Sequence, residues 1–173
     1  MNTDAIRQWV ADTTGLTTIW MNPNAPRPDR PYCAIQITSV LRIGEPYHGT
    51  IDASGIAQVL SQREVVLSIN VYEDAANNDP RSALLKATDL RDSLDLFGTL
   101  DTLKADGWAY RGVESLQDTP ELLDTQFEPR ATFDVRFGVT IEQSDDMGWI
   151  ETVIFTGDIE NQTTTREVDL TNG

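Results

Sequence analysis

A chain of 173 residues suits one domain and is long enough to bury a core without disulfides or a structural metal. Its 28 acidic against 13 basic residues give a formal charge of -15 and a pI of about 4.2. With no basic run along the sequence, this argues against a sequence-reading nucleic-acid binder or an anionic-membrane binder. The lone cysteine, Cys33, excludes an internal disulfide and speaks against a thiolate metal site; beside Ala34 and Ile35 it reads as a small buried hydrophobe.

In chain order, Ile6, Trp9 and Val10 stand at helical spacing, with Thr3 or Asp4 to cap the start and Gly15 to end the turn, which predicts a short amphipathic helix. Thr17 to Trp20 reads as a brief strand. The stretch from Asn22 to Arg30 holds three prolines, which forbid a helix and favour an extended loop of fixed shape. Pro31 to Ile43 alternates Cys33, Ile35, Ile37, Ser39, Leu41 and Ile43, the pattern of a strand with one apolar face. Gly44 to Gly55 carries turn residues and the single histidine, His48, and reads as a surface loop or a long hairpin tip. Gln58 to Tyr72, with Val65, Leu67, Ile69 and Val71 on one side, is the expected hairpin partner of the preceding strand.

Asp79-Pro80 is a compact helix start. Ala83, Ala87, Leu90, Leu94 and Phe97 mark the apolar face of a helix running to about Leu96, broken by Gly98 and followed by a second short helix over Thr99 to Ala105, closed by Gly107. Trp108 to Val113 reads as a strand, and Glu114 to Thr125 as a loop or a short helical turn. The strongest signal is Gln126 to Gln143: from Ala131 on, Ala131, Phe133, Val135, Phe137, Val139 and Ile141 alternate with polar residues without a fault. That is a long antiparallel strand with one buried face. Pro129 places its start near Arg130. Ser144 to Gly148 has hairpin chemistry, and Trp149 to Phe155 is expected to return as its partner. After Gly157 the chain turns poor in aromatics and rich in Thr, Asn and acid. The expected organisation is a single α+β domain over 1–157, an antiparallel sheet with an N-terminal and a central helix on one face and long hairpins. A flexible or partner-docked extension follows over 158–173.

Nothing in the chain assembles into a familiar catalytic motif. Triad chemistry needs a positioned histidine, and His48 stands in the turn-rich run Glu45-Pro46-Tyr47-His48-Gly49, where a solvated side chain is the ordinary reading. The acidic pairs Asp145-Asp146 and Glu73-Asp74 lack the alternating oxygen ligands of a calcium loop, and no glycine-rich phosphate cradle precedes a helix. No catalytic, metal or cofactor site is expected. No apolar run approaches membrane-spanning length, and MNTDAIRQWV lacks the basic-then-apolar order of a signal peptide. What stands out is a set of loops of fixed shape: Pro26-Arg27-Pro28-Asp29-Arg30-Pro31-Tyr32 and Phe127-Glu128-Pro129-Arg130 combine proline, arginine and aromatic residues, a composition that interfaces enrich. The same prolines also serve simply to lead the chain into its strands. Arg27, Arg30, Tyr32, Tyr47, His48, Glu128 and Arg130 are the candidate subunit or partner contacts.

Trp20 with the proline loop ending Arg30-Pro31-Tyr32, the proline-capped central helix, Phe127-Glu128-Pro129-Arg130-Ala131 with Asp134, and Gly148-Trp149-Ile150-Glu151 together resemble the neck or tail terminator proteins of tailed bacteriophages. The resemblance runs from Ile6 to about Ile154. It implies a non-enzymatic α+β subunit of the virion neck, assembled in the host cytoplasm into a ring, usually a hexamer. Such a ring caps the tail tube protein and joins it to head-completion, stopper or connector proteins, with genomic DNA passing through the lumen without sequence-specific binding and with no membrane or cofactor involved. The family's motifs fall here on Arg30, Pro31, Tyr32, Glu128, Pro129, Arg130, Ala131 and Asp134, as fold and contact positions. Another head-tail joining protein, such as a stopper, fits the same residues. A small-ligand or enzymatic α+β domain would differ by a deep pocket of converging polar groups.

Overall fold

The computed structural model describes residues 2–21, 24, 26–74, 79, 81–123, 126–148, 152–159 and 162–169. The chain divides into two compact units, one of residues 1–45 and 61–141, the other of residues 46–60 and 142–173.

The first unit carries the helices. Helix α1 spans Thr3–Thr14, its start capped by the Asn2 side chain accepting from the Asp4 N–H, its end by Gly15 in the left-handed conformation. Gly15 donates its N–H to the Ala11 carbonyl at 2.8 Å, which satisfies one of the carbonyls a helix end leaves open. Strand β1 (Thr17–Trp20) runs parallel to the start of β2 (Tyr32–Ile51), and β3 (Ile56–Tyr72) follows. Helix α2 (Ser82–Asp92) tightens into a 3-10 turn over Ser93–Asp95. Leu96 is extended, and α3 begins at Phe97 and ends at Ala105. Strands β4 (Ala109–Val113), β5 (Gln117–Asp118), β6 (Glu121–Leu123) and β7 (Gln126–Glu128) precede the long β8 (Arg130–Asp146).

The main sheet has the order β1-β2-β3-β8-β4, with β5 also paired to β8. The β3 and β8 strands are antiparallel: Glu73 N–H bonds the Pro129 carbonyl at 3.1 Å and Gln62 Nε2 bonds Thr140 Oγ1 at 3.1 Å, so one strand rises as the other falls. The architecture is the expected α+β one. The parallel β1–β2 pairing makes the sheet mixed.

Helices α1, α2 and α3 pack on the face that presents Cys33, Ile35, Val65, Leu67, Ile69, Val71, Ala131, Phe133, Val135 and Phe137. Ala83, Ala87, Leu90 and Leu94 reach it from α2 and its 3-10 extension, as their spacing predicts. Each fully buried Leu or Phe contributes roughly 1.5–3 kcal/mol. Phe137 is the keystone, in edge contact with Trp9, Trp108 and Tyr110 at centroid distances of 6.3, 5.6 and 6.2 Å.

Several expectations are corrected. Phe97 does not join the core row: the kink at Leu96 restarts the helix, and Phe97 is 85% exposed. Gly98 lies inside α3 rather than between helices, because the break is made two residues earlier, at Leu96. The stretch Glu114 to Thr125 contains two short strands rather than a helical turn. Trp149 to Glu151 and Pro80 lie outside the described residues. The rest of the expected return strand, Thr152 to Phe155, belongs to β9 (Thr152–Ile159), whose partner is β10 (Gln162–Asp169) and not β8.

In the second unit, the β2–β3 hairpin turns over residues 52–55. Asp52 Oδ1 accepts from the Ser54 and Ile56 N–H groups, an Asx-type turn. Met147 N–H bonds the Gly55 carbonyl at 3.0 Å, and a side chain at Gly55 would meet the Gly148 backbone at 3.0 Å. The β9 and β10 strands pair antiparallel along their full length, from Thr152 opposite Asp169 to Ile159 opposite Gln162.

Candidate interface surfaces

The helix-free face of the first unit gathers four of the seven candidate residues at one end of the sheet. Tyr32 and Tyr72 stack at 4.7 Å with planes 19° apart, and both are buried with Ala34. Two guanidinium groups lie over the Tyr72 ring, Arg30 at 5.5 Å and Arg130 at 5.1 Å, a cation–π arrangement on each side of the strand. Arg30 forms an ion pair with Glu128, both side chains about one-fifth exposed or less. Arg130 donates from Nη2 to Asn70 Oδ1 at 3.0 Å, and Asn70 is buried. The proline entries to β2 and β8 thus set two arginines on one aromatic platform. Sequence reasoning missed Tyr72 and Asn70. The signal was the alternation in β3: opposite the Val65, Leu67, Ile69, Val71 row, Asn70 and Tyr72 share the other face.

The remaining candidates stand elsewhere. Arg27 is exposed in the β1–β2 loop, and Tyr47 and His48 are exposed on β2 within the second unit.

The arginines are dispersed in sequence, yet the fold collects them. Arg136 lies across Gly112, its Nη2 3.3 Å from where a side chain would start, with Glu114 3.6 Å from its Nε. Arg111 covers Gly138 in the same way. Arg130 and Arg136 reach the helix-free face by alternation along β8 and Arg111 by alternation in β4, while Arg30 joins them from the loop before β2; Glu114 and Glu128 lie beside them.

On the opposite layer, an open cleft of about 620 Å³ between α1 and α3 is bordered by Asp4, Gln8, Asp12, Thr99, Thr102 and Asp106. It has no nucleophile–base pair, and among the described residues no three His, Cys, Asp or Glu side chains converge as metal ligands. Among those residues no helix is long and apolar enough to cross a membrane.

Among the exposed apolar side chains of the described residues, three groups stand out. Leu96 and Phe97 stand at the α3 start, 60% and 85% exposed. Leu122 and Phe127 are directly opposed across the β6–β7 pair and both exposed. The third group is the outer half of the predicted β2 row. Cys33 and Ile35 are buried, but Ile37, Leu41 and Ile43 are 39%, 60% and 41% exposed. Length explains this. Helix α1, the longest helix at 12 residues, is about 18 Å long, whereas Tyr32 to Glu45 extends about 46 Å, so the helix layer runs out before the apolar row does.

Cys33 is buried, its Sγ 3.7 Å from Thr14 Oγ1. Burial pushes its thiol up to about 11. Between pH 9 and 11 the folded chain keeps a proton that the unfolded chain has lost, so this group costs stability as pH rises through that window and not below it. Folded protein at pH 8 is expected to show no titratable thiol with an aromatic disulfide reagent and one thiol in denaturant. Rapid reaction of the native chain would place Cys33 in solvent.

The family model described as phage neck terminator protein matches residues 2–165. No curated protein matches the chain.

Proposed function

The chain belongs to the phage neck terminator protein family, a structural component of the virion, and on that premise we propose that it assembles into a hexameric ring that caps the tail tube and joins it to the head-completion proteins. The observation that carries the ring is the exposed apolar row of Ile37, Leu41 and Ile43 on a long strand. Such a row on a chain of -15 net charge calls for a protein partner rather than solvent. Head-to-tail rings need two different surfaces per subunit, and the helix-free arginine face and the acidic helix layer supply surfaces of contrasting charge. Among the candidate contacts, Arg27, Tyr47 and His48 are the ones free to meet a neighbour. Arg30, Tyr32, Glu128 and Arg130 shape the platform from which the proline loops project. The overall acidity repels the phosphate backbone and keeps passing DNA from sticking.

Light scattering and electron microscopy of the purified chain, alone and mixed with tail tube, test the ring. A sixfold assembly is expected at micromolar concentration. A strict monomer under both conditions overturns the reading.

A further inference from the structure

The β2 strand has two neighbours, β1 and β3, but β1 pairs only with Tyr32 to Ile35. From Gln36 onward the β1-side edge of β2 has no strand partner among the described residues. The direction of its polar groups follows from one bond: Met21 N–H donates to the Ile35 carbonyl at 2.7 Å, so Ile35 points its backbone groups to the β1 side. Alternation then sets the N–H and C=O of Ile37, Ser39, Leu41 and Ile43 outward along the same edge. These residues include the ones whose apolar side chains the helices fail to cover. Main-chain donors, main-chain acceptors and apolar side chains are thus presented together over about 33 Å of strand from Gln36 to Glu45.

Soluble proteins protect such an edge with charges, prolines, bulges or a short length. At the other side of the sheet, β4 does so: it is five residues long and bulged between Tyr110 and Gly112. Between Gln36 and Leu41 the β2 edge carries neither a charge nor a proline. Its charges through Glu45 are Arg42 and Glu45, which pair with each other at 3.1 Å, so the stretch is neutral in a chain of -15. It is a place where a second, equally acidic copy can approach without repulsion.

The same chain holds a strand system short of a partner. Among the described residues, strands β9 and β10 form a sheet of two strands, and an isolated two-stranded hairpin is marginal in water. In sequence β9 reads Thr-Val-Ile-Phe-Thr-Gly-Asp-Ile. It has strong strand formers and one charge, and is about 27 Å long, a match for the open stretch of β2. We propose that the β9–β10 hairpin of one subunit adds its β9 edge to the open edge of β2, Gln36 to Glu45, in the next subunit. Two different surfaces meet, so the contact repeats head to tail, the kind of contact that a ring requires. Its hydrogen bonds supply affinity, and the Ile37, Leu41, Ile43 row supplies the apolar contact. This contact rests on the ring reading above and names the strands that make it.

The test uses the full chain. Ser39→Pro removes one outward N–H and leaves the β3-facing bonds in place, a substitution an edge strand accepts. Leu41→Glu sets a charge in the row without touching the backbone. Both are expected to keep the wild-type circular dichroism and to lower ring occupancy at fixed concentration at least tenfold by light scattering. In a Cys33→Ala background, subunits carrying a single cysteine at position 37, 39, 41 or 43 are mixed with subunits carrying Ile154→Cys. Oxidation is expected to yield mixed-label dimers for at least one position and to fail when Ser39→Pro is added. Wild-type rings that persist in both variants and give no cross-link at any position overturn the contact and leave the ring standing. A wild-type chain that stays monomeric overturns both.

Discussion

Replacing Phe137 by Ala is expected to lower the unfolding free energy by about 3–5 kcal/mol, the cost of removing a fully buried aromatic side chain. Phe137 has no exposed surface, and its ring edge-packs against Trp9 of α1, Trp108 ahead of β4 and Tyr110 of β4. Its truncation opens a space bounded by separate elements that cannot collapse together. A urea titration with unchanged slope and a lower midpoint is the expected result. Phe127→Ala, at a residue 68% exposed, is the control and should move the midpoint by no more than about 0.5 kcal/mol equivalent. Equal effects at the two positions would refute the assignment of Phe137 as the keystone.

The second large effect lies at the arginine platform. Arg30→Ala removes the partner of Glu128 and one of the two guanidinium groups over Tyr72, and leaves a mostly buried carboxylate without its cation. A loss of about 1–3 kcal/mol follows. Arg30→Ala, Glu128→Ala and the double substitution form a cycle in which the double variant should be less destabilised than the sum of the single ones, by at least about 0.5 kcal/mol. Strict additivity would mean the two side chains do not feel each other.

The parts of the fold that were legible in the sequence are those where one periodicity decides the outcome. Residues 131 to 139 alternate because both the sheet and its helix cover persist along that stretch. The α2 row from Ala83 to Leu94 is readable for the same reason. Phe97 was misplaced because spacing alone continues a helix through a residue whose backbone is extended, and nothing in Asp95-Leu96-Phe97 announces the kink. The β2 row was read correctly as apolar and alternating, but pattern does not tell how far the cover extends; that depends on helix length set elsewhere in the chain. The β9 pairing escaped because a turn at Ser144 to Gly148 predicts a hairpin locally, while the choice between β8 and β10 as partner is made by residues after Gly157. At the candidate contacts, Arg30 and Glu128 were both singled out, and the fold pairs them. Their meeting point, Tyr72, comes from a third strand that short motifs do not reach.

The two tryptophans beside Phe137 give the molecule a built-in optical reporter. Trp9 donates its indole N–H to Ser93 Oγ at 2.9 Å and Trp108 donates to the Asn2 carbonyl at 2.7 Å, so each ring is held in an apolar site with its one polar atom occupied. Their emission is therefore blue-shifted in the folded chain and moves to the red when α1 leaves the sheet. Because Trp9 is on α1 and Trp108 precedes β4, their share of the emission follows the docking of the helix layer, and replacing the other two tryptophans, Trp20 and Trp149, by Phe isolates it.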